Sequence, residues 1–182
     1  MINPQPYWID EEIPSAGLMI MVIVLMGVSG TGKTTVGKVL ATKLGWDFVE
    51  GDDYHPTANI KKMRAGIPLT DEDRCPWLQA LRQRIEEACQ QGENVIVACS
   101  ALKREYRQYL ERHDLECVNY VFLHGSEELI SRRLAERKGH FMDPNLLQSQ
   151  FEALEVPEGT LQFDITPAPE KIAAEIRRKL GL

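Results

Sequence analysis

Apolar runs alternate with amphipathic stretches along most of this chain. Leu18 to Met26 is continuously apolar, the pattern of a strand buried on both faces. Trp46 to Glu50, Asn94 to Cys99, Cys117 to Leu123 and Leu161 to Ile165 read as four more strands. Helical spacing fills the gaps. Val36, Val39, Leu40 and Leu44 mark a helix over 34–44. Leu78, Leu81, Ile85 and Cys89 mark a longer one with an acidic start, where Asp73 is placed to act as N-cap. Lys103 to Arg112 is helical in pattern, and Ser126 opens a helix through Leu129, Ile130 and Leu134 to Arg137. Asp143-Pro144 caps another, with Leu147, Phe151 and Leu154 on its inner face. Pro169 to Leu180 closes the chain with Ile172, Ile176 and Leu180 in register. Strands alternating with helices predict an α/β fold with a mainly parallel sheet. Residues 1–17, with Pro4, Pro6 and Pro14 and no period, read as an N-terminal extension. Residues 18–182 read as a single domain.

Composition narrows the function. The chain has 182 residues, 43% hydrophobic and 26% charged, the balance of a globular protein with a sizeable core. Lys plus Arg number 21 against 27 Asp plus Glu, a formal charge of −6. That surface repels phosphate backbones, so no nucleic-acid partner is expected. The longest apolar run falls well short of the ~20 residues that span a bilayer. No Lys or Arg precedes it, so neither a membrane partner nor export is expected. Cys75, Cys89, Cys99 and Cys117 form no C-x-x-C pair and no zinc spacing, and read as reduced thiols of a cytoplasmic protein.

Residues 27–34 read GVSGTGKT, a match to G-x-x-x-x-G-K-[ST] between an apolar strand and an amphipathic helix. The glycines let the backbone turn its N–H groups onto a phosphate, and the following helix adds its positive end. Gly27, Val28, Ser29, Gly30, Thr31, Gly32, Lys33, Thr34 and Thr35 are therefore the expected residues for binding a nucleoside triphosphate. Lys33 is expected on the β- and γ-phosphates and the Thr34 hydroxyl on Mg²⁺. No N-K-x-D guanine loop is present, and the strand NVIVAC ends without an acid. The acids follow the second strand instead: Glu50, Asp52 and Asp53. A carboxylate is tolerable beside Lys33 and Mg²⁺, where it can orient a nucleophile.

A short chain with acids at the end of its second strand resembles the small-molecule kinases related to shikimate and nucleoside-monophosphate kinases. Three longer phrases sharpen this: EGDDYHPTANIKKMRAGIPLTDEDRCPWL (Glu50 to Leu78), VIVACSALKREYR (Val95 to Arg107) and GHFMDPNLLQSQFEALEVP (Gly139 to Pro157). With the phosphate loop they resemble the gluconokinase family over residues 22 to 180. The resemblance implies a three-layer P-loop kinase fold: a five-stranded parallel sheet, helices on both faces and a lid at about 137–145. It implies ATP and Mg²⁺ as cofactors and D-gluconate as the substrate, phosphorylated at its 6-hydroxyl. A homodimer is a family expectation. Asp52 would orient or deprotonate that hydroxyl, and Glu50 or Asp52 would hold the metal through water.

A sugar acid needs a cation for its carboxylate and several polar partners for its hydroxyls. The segment at about 53–75 supplies His55, Lys62, Arg64 and Arg74, and Lys103 follows the third strand. The sequence does not rank these cations. Arg133 and Arg137, four apart on one helix face, resemble the pair that related kinases place on adenine and on the phosphates. Thr166 to Pro169, after the last strand, is the candidate adenine wall.

Overall fold

The computed structural model describes residues 20–111, 116–136 and 144–182. Strand β1 (Val22–Met26) is buried at every position and forms the centre of a five-stranded sheet in the order β2-β3-β1-β4-β5. Its neighbours are β3 (Val95–Ala98) and β4 (Val118–His124). β2 (Asp47–Glu50) and β5 (Leu161–Asp164) form the edges, and every pairing is parallel. Val22 lies opposite Val95 on one side and Val118 on the other. The five strands and the parallel sheet are as the apolar runs predict, with most ends trimmed by one to four residues and β4 running one residue further, to His124. Residues 18 and 19 of the first run lie outside the described residues.

Alternation along β1 divides the core into two. Ile23 and Leu25 pack with Val36 and Leu40 of α1 (Lys33–Leu44) and with Ile172 and Ile176 of α7 (Pro169–Leu180). Ile130 of α5 (Glu127–Ala135) and Leu147 of α6 (Pro144–Ala153) join this side. Val22, Val24 and Met26 face Trp77, Leu81 and Ile85 of α3 (Asp71–Gln91), and Tyr106 and Leu110 of α4 (Arg104–Glu111). Burying each such aliphatic side chain contributes about 1.5–3 kcal/mol, so helices on both faces hold the sheet between them. The result is the three-layer arrangement expected. With all strands parallel, the loops after β1, β2, β3 and β5 gather at one edge.

The structure departs from the sequence reading in three places. Residues 51–54 and 57–64 are helical: a 3₁₀ turn (Gly51–Tyr54) leads through His55 and Pro56 into α2 (Thr57–Arg64). The N-cap of α3 is Thr70, not Asp73. Thr70 Oγ1 accepts from Asp73 N at 3.2 Å and Asp73 Oδ2 accepts from Thr70 N at 2.9 Å, a reciprocal capping box. Asp71 and Glu72 already belong to the first turn, where acids suit the helix dipole, so the helix begins three residues earlier.

The third departure concerns the cysteines. Cys89 and Cys117 form a disulfide, so the expectation of four reduced thiols fails for this pair, while Cys75 and Cys99 are free. The last turns of α3 run back beside the start of β4, bringing two cysteines 28 residues apart to a Cα separation of 6.4 Å. The Cys117 carbonyl accepts from Val22 N, which places the bridge at the end of the sheet away from the phosphate loop. Among the described residues no helix is long and apolar enough to cross a membrane.

Candidate active site

The loop between β1 and α1 is shaped by close contacts. At Gly27, with φ 140°, a Cβ would come within 2.4 Å of the Leu123 carbonyl oxygen of β4. At Gly30, with φ 85°, it would meet Leu134 Cγ of α5 at 2.8 Å. Only glycine fits at either point. Thr31 is 1% exposed and its Oγ1 donates to Val28 O at 2.9 Å, closing the loop on itself. Its hydroxyl therefore shapes the loop. Lys33 Nζ lies back on the loop, donating to Gly27 O at 2.9 Å and Val28 O at 3.0 Å. Ser29 faces α6, where Gln150 holds both its N–H and its hydroxyl.

Thr34 Oγ1 donates to Glu50 Oε2 at 2.7 Å, joining the start of α1 to the end of β2. Burial pushes the Glu50 carboxyl above the ordinary carboxylate range, and the Thr34 hydrogen bond pulls the other way. Among the described residues no group of three or more His, Cys, Asp or Glu gathers as a metal cage. The residues nonetheless fit Mg²⁺, which takes hard oxygen ligands, keeps waters and leans on substrate phosphates. The hydroxyl and carboxylate at the mouth of the loop are such oxygens.

Asp52 and Asp53 are exposed in the 3₁₀ turn that follows β2. The turn is anchored from α3, where Trp77, 1% exposed, donates its Nε1–H to Gly51 O at 2.8 Å. His55 stacks on the Trp77 ring with centroids 4.4 Å apart. Asn59, 3% exposed, donates through Nδ2 to Asp73 O at 2.7 Å and lies 3.3 Å from His55 Nδ1. An amide NH₂ can only donate, so the neutral ring accepts at Nδ1 and carries its hydrogen on Nε2. Burial lowers the His55 pKa below the usual imidazole value. Neither Trp77 nor Asn59 was singled out from sequence. Trp77 reads there as ordinary helix, and a buried asparagine carries no periodic signal.

The candidate cations separate by their partners. Lys62 Nζ meets both oxygens of Asp73 at 2.7 Å. Lys103 Nζ meets both oxygens of Asp71 at 2.8 and 2.6 Å, and the Tyr106 hydroxyl donates to the same carboxylate. Arg74 is only loosely held, with Nη1 at 3.5 Å from Asp71 Oδ1 and 3.4 Å from the Tyr106 hydroxyl. Its charge is felt at His55, whose other charged neighbour is Asp52. Arg64 is exposed in the last turn of α2.

On the far side of the loop, Gly30, Thr31, Gly32 and Thr35 join Arg133, Pro167 and Pro169 around a cavity of about 250 Å³. Arg133 donates to Ile165 O at 2.8 Å, tying α5 to the exit of β5. The structure thus brings the loop, Arg133 and part of the 166–169 segment together. Arg137 and residues 137–143 of the expected lid lie outside the described residues.

A gluconokinase of Gluconobacter oxydans is 50% identical over 171 residues, covering 92% of this chain and 96% of that one. The chain belongs to the gluconokinase family. The solved structure of a gluconokinase from Sinorhizobium meliloti is 43% identical, with a TM-score of 0.78, covering 90% of this chain and 97% of that one. A sugar kinase from a Janibacter species is 40% identical with a TM-score of 0.83, covering 88% and 94%. A family model described as an AAA domain matches residues 22–156, from β1 to just beyond α6. The protein is thus a kinase, a phosphotransferase, with the α/β fold of its family.

Proposed function

We propose that this kinase transfers the γ-phosphoryl group of ATP to the 6-hydroxyl of D-gluconate, giving 6-phospho-D-gluconate and ADP. The observation that carries this reading is the meeting of a phosphate loop, a hydroxyl–carboxylate pair and an exposed acid beside a cation cluster, in a chain of this family. Lys33 exchanges its two loop carbonyls for the β- and γ-phosphates. The loop N–H groups and the start of α1 hold the triphosphate in line with the acceptor. Asp52 takes the proton of the 6-hydroxyl as its oxygen bonds to phosphorus, and the electron pair of the breaking P–O bond leaves with ADP. Mg²⁺, when bound, neutralises charge on the phosphate oxygens. Thr34 and Glu50 are the residues that would hold it, Glu50 or Asp52 acting through water. Arg137 is assigned to the charge that spreads over the transferring group.

Arg74 is assigned to the gluconate carboxylate. Lys62 and Lys103 are already engaged by short bonds to carboxylates, whereas the Arg74 contacts are at the long limit of hydrogen bonding. His55, with hydrogen on Nε2, is assigned to a substrate hydroxyl. Arg133 and the 167–169 wall are assigned to adenine. A cytoplasmic location and a homodimer belong to the same proposal, as family expectations. The test is ADP release from Mg-ATP with D-gluconate, shikimate, AMP or no acceptor. Release that depends on gluconate alone is expected; release indifferent to gluconate would withdraw the substrate.

A further inference from the structure

Gln150 lies in the second turn of α6 and grips the middle of the phosphate loop. Its Oε1 accepts from Ser29 N at 2.7 Å, and its Nε2 donates to Ser29 Oγ at 3.2 Å. Chemistry fixes the orientation of this amide. A backbone N–H can only donate, so the amide oxygen must face it and the NH₂ must face the hydroxyl. The NH₂ offers no lone pair in return. The Ser29 hydroxyl is therefore an acceptor towards Gln150, and its single hydrogen is directed away from α6. Ser29 also follows directly on Val28, whose carbonyl, with that of Gly27, holds the Lys33 ammonium. The outward hydrogen and the phosphate-binding lysine thus belong to one short arc of loop.

We propose that Ser29 donates its hydroxyl hydrogen bond to an oxygen of the transferring γ-phosphoryl group, and that Gln150 is the positioning residue that aims it. The proposal rests on the phosphoryl-transfer reading above. In the transfer, the bond between γ-phosphorus and the bridging oxygen breaks with its electron pair going to ADP. The new bond forms from the acceptor oxygen, and the acceptor proton goes to Asp52. Ser29 keeps its proton throughout and stabilises charge without being consumed. A donor fixed before the reaction needs no reorganisation at the moment of transfer, which is where such groups gain their effect.

The test uses Ser29→Ala, Gln150→Ala and the double variant, with ATP affinity and melting temperature measured beside turnover. Each single variant is expected to lose about 10- to 100-fold in kcat while the dissociation constant for ATP changes about two-fold or less. The double variant should be no slower than the slower single one, because both changes remove one oriented donor. Wild-type turnover in Ser29→Ala would overturn the proposal. So would losses that multiply in the double variant, or a slow Gln150→Ala beside a fast Ser29→Ala, which would reduce Gln150 to holding backbone. The same ratios are read on the slow hydrolysis of ATP to water, which needs no gluconate. A wild-type enzyme that ignores gluconate would sink the substrate reading, while hydrolysis would still decide the role of Ser29.

Discussion

Trp77→Phe isolates the link between the α3 core and the turn that carries Asp52. The change keeps a six-membered ring in the core and removes the Nε1–H that donates to Gly51 O at 2.8 Å. Trp77 is 1% exposed, so water reaches that carbonyl poorly once its donor is gone. Leaving a buried acceptor unpaired costs about 1–3 kcal/mol. The smaller ring leaves a void of about 35 Å³, or about 1 kcal/mol at ~24 cal/mol per Å³. The sum is about 2–4 kcal/mol, a fall in melting temperature of about 5–10 °C for a chain of this size. Urea unfolding followed by far-UV circular dichroism should show the lower midpoint with an unchanged slope. Gly51 precedes Asp52, so kcat with gluconate should fall while ATP affinity holds. A stability loss under about 1 kcal/mol would refute the reasoning, since Gly51 O would then have found another donor.

Asp52→Asn should keep ATP binding and lose at least about 100-fold in turnover; retained turnover would reject the residue as the proton acceptor. Arg74→Gln should raise KM for gluconate with little change for ATP, and narrow the preference for gluconate over sorbitol, its neutral relative; an unchanged ratio would move the carboxylate elsewhere. His55 links stability to pH. Burial holds its folded pKa below the ordinary 6.5, so below that value the unfolded chain binds a proton that the folded one refuses. Stability is full above 6.5 and falls as pH drops towards the depressed value, and thermal melts of His55→Gln should lack that part of the fall. Reduction by dithiothreitol opens a 28-residue loop and should cost about 3–4 kcal/mol, with kcat unchanged because the bridge lies at the other end of the sheet; a coupled loss of activity would contradict that placement.

The five strands were legible because each is a short apolar run, and a central parallel strand such as β1 is buried on both faces. The phosphate loop was legible because all its chemistry is local. What escaped the sequence is long-range pairing. Trp77 reaches Gly51 across 26 residues, Lys103 reaches Asp71 across 32, and Gln150 reaches Ser29 across 121. No local period records such contacts. The missed α2 has a different cause. It carries only Ile60 and Met63 as large apolar residues, and its one buried residue is Asn59, so its face is specified by hydrogen bonds. The same holds for the cysteines, whose pairing depends on where α3 turns back.

Charge around Arg74, proposed above for the gluconate carboxylate, bears on which acceptors that proposal allows. Three cations, Lys62, Arg74 and Lys103, meet the carboxylates of Asp71 and Asp73, and Glu105 lies 3.4 Å from Lys103. The two lysines are each matched by a short ion pair, whereas Arg74 reaches Asp71 only at 3.5 Å and is the most loosely paired cation of the group. One loosely paired cation suits one carboxylate. A phosphorylated acceptor, carrying close to two negative charges, would call for a second cation released from its pair, at the cost of leaving Asp71 or Asp73 unmatched beside an anion. With the acceptor held at Arg74 as proposed, nucleotide acceptors would be disfavoured electrostatically. Asp71→Asn should test this by removing the carboxylate that Lys103 and Arg74 share: acceptance of dianionic acceptors should rise relative to gluconate, and no relative change would show that shape, not charge balance, sets the choice.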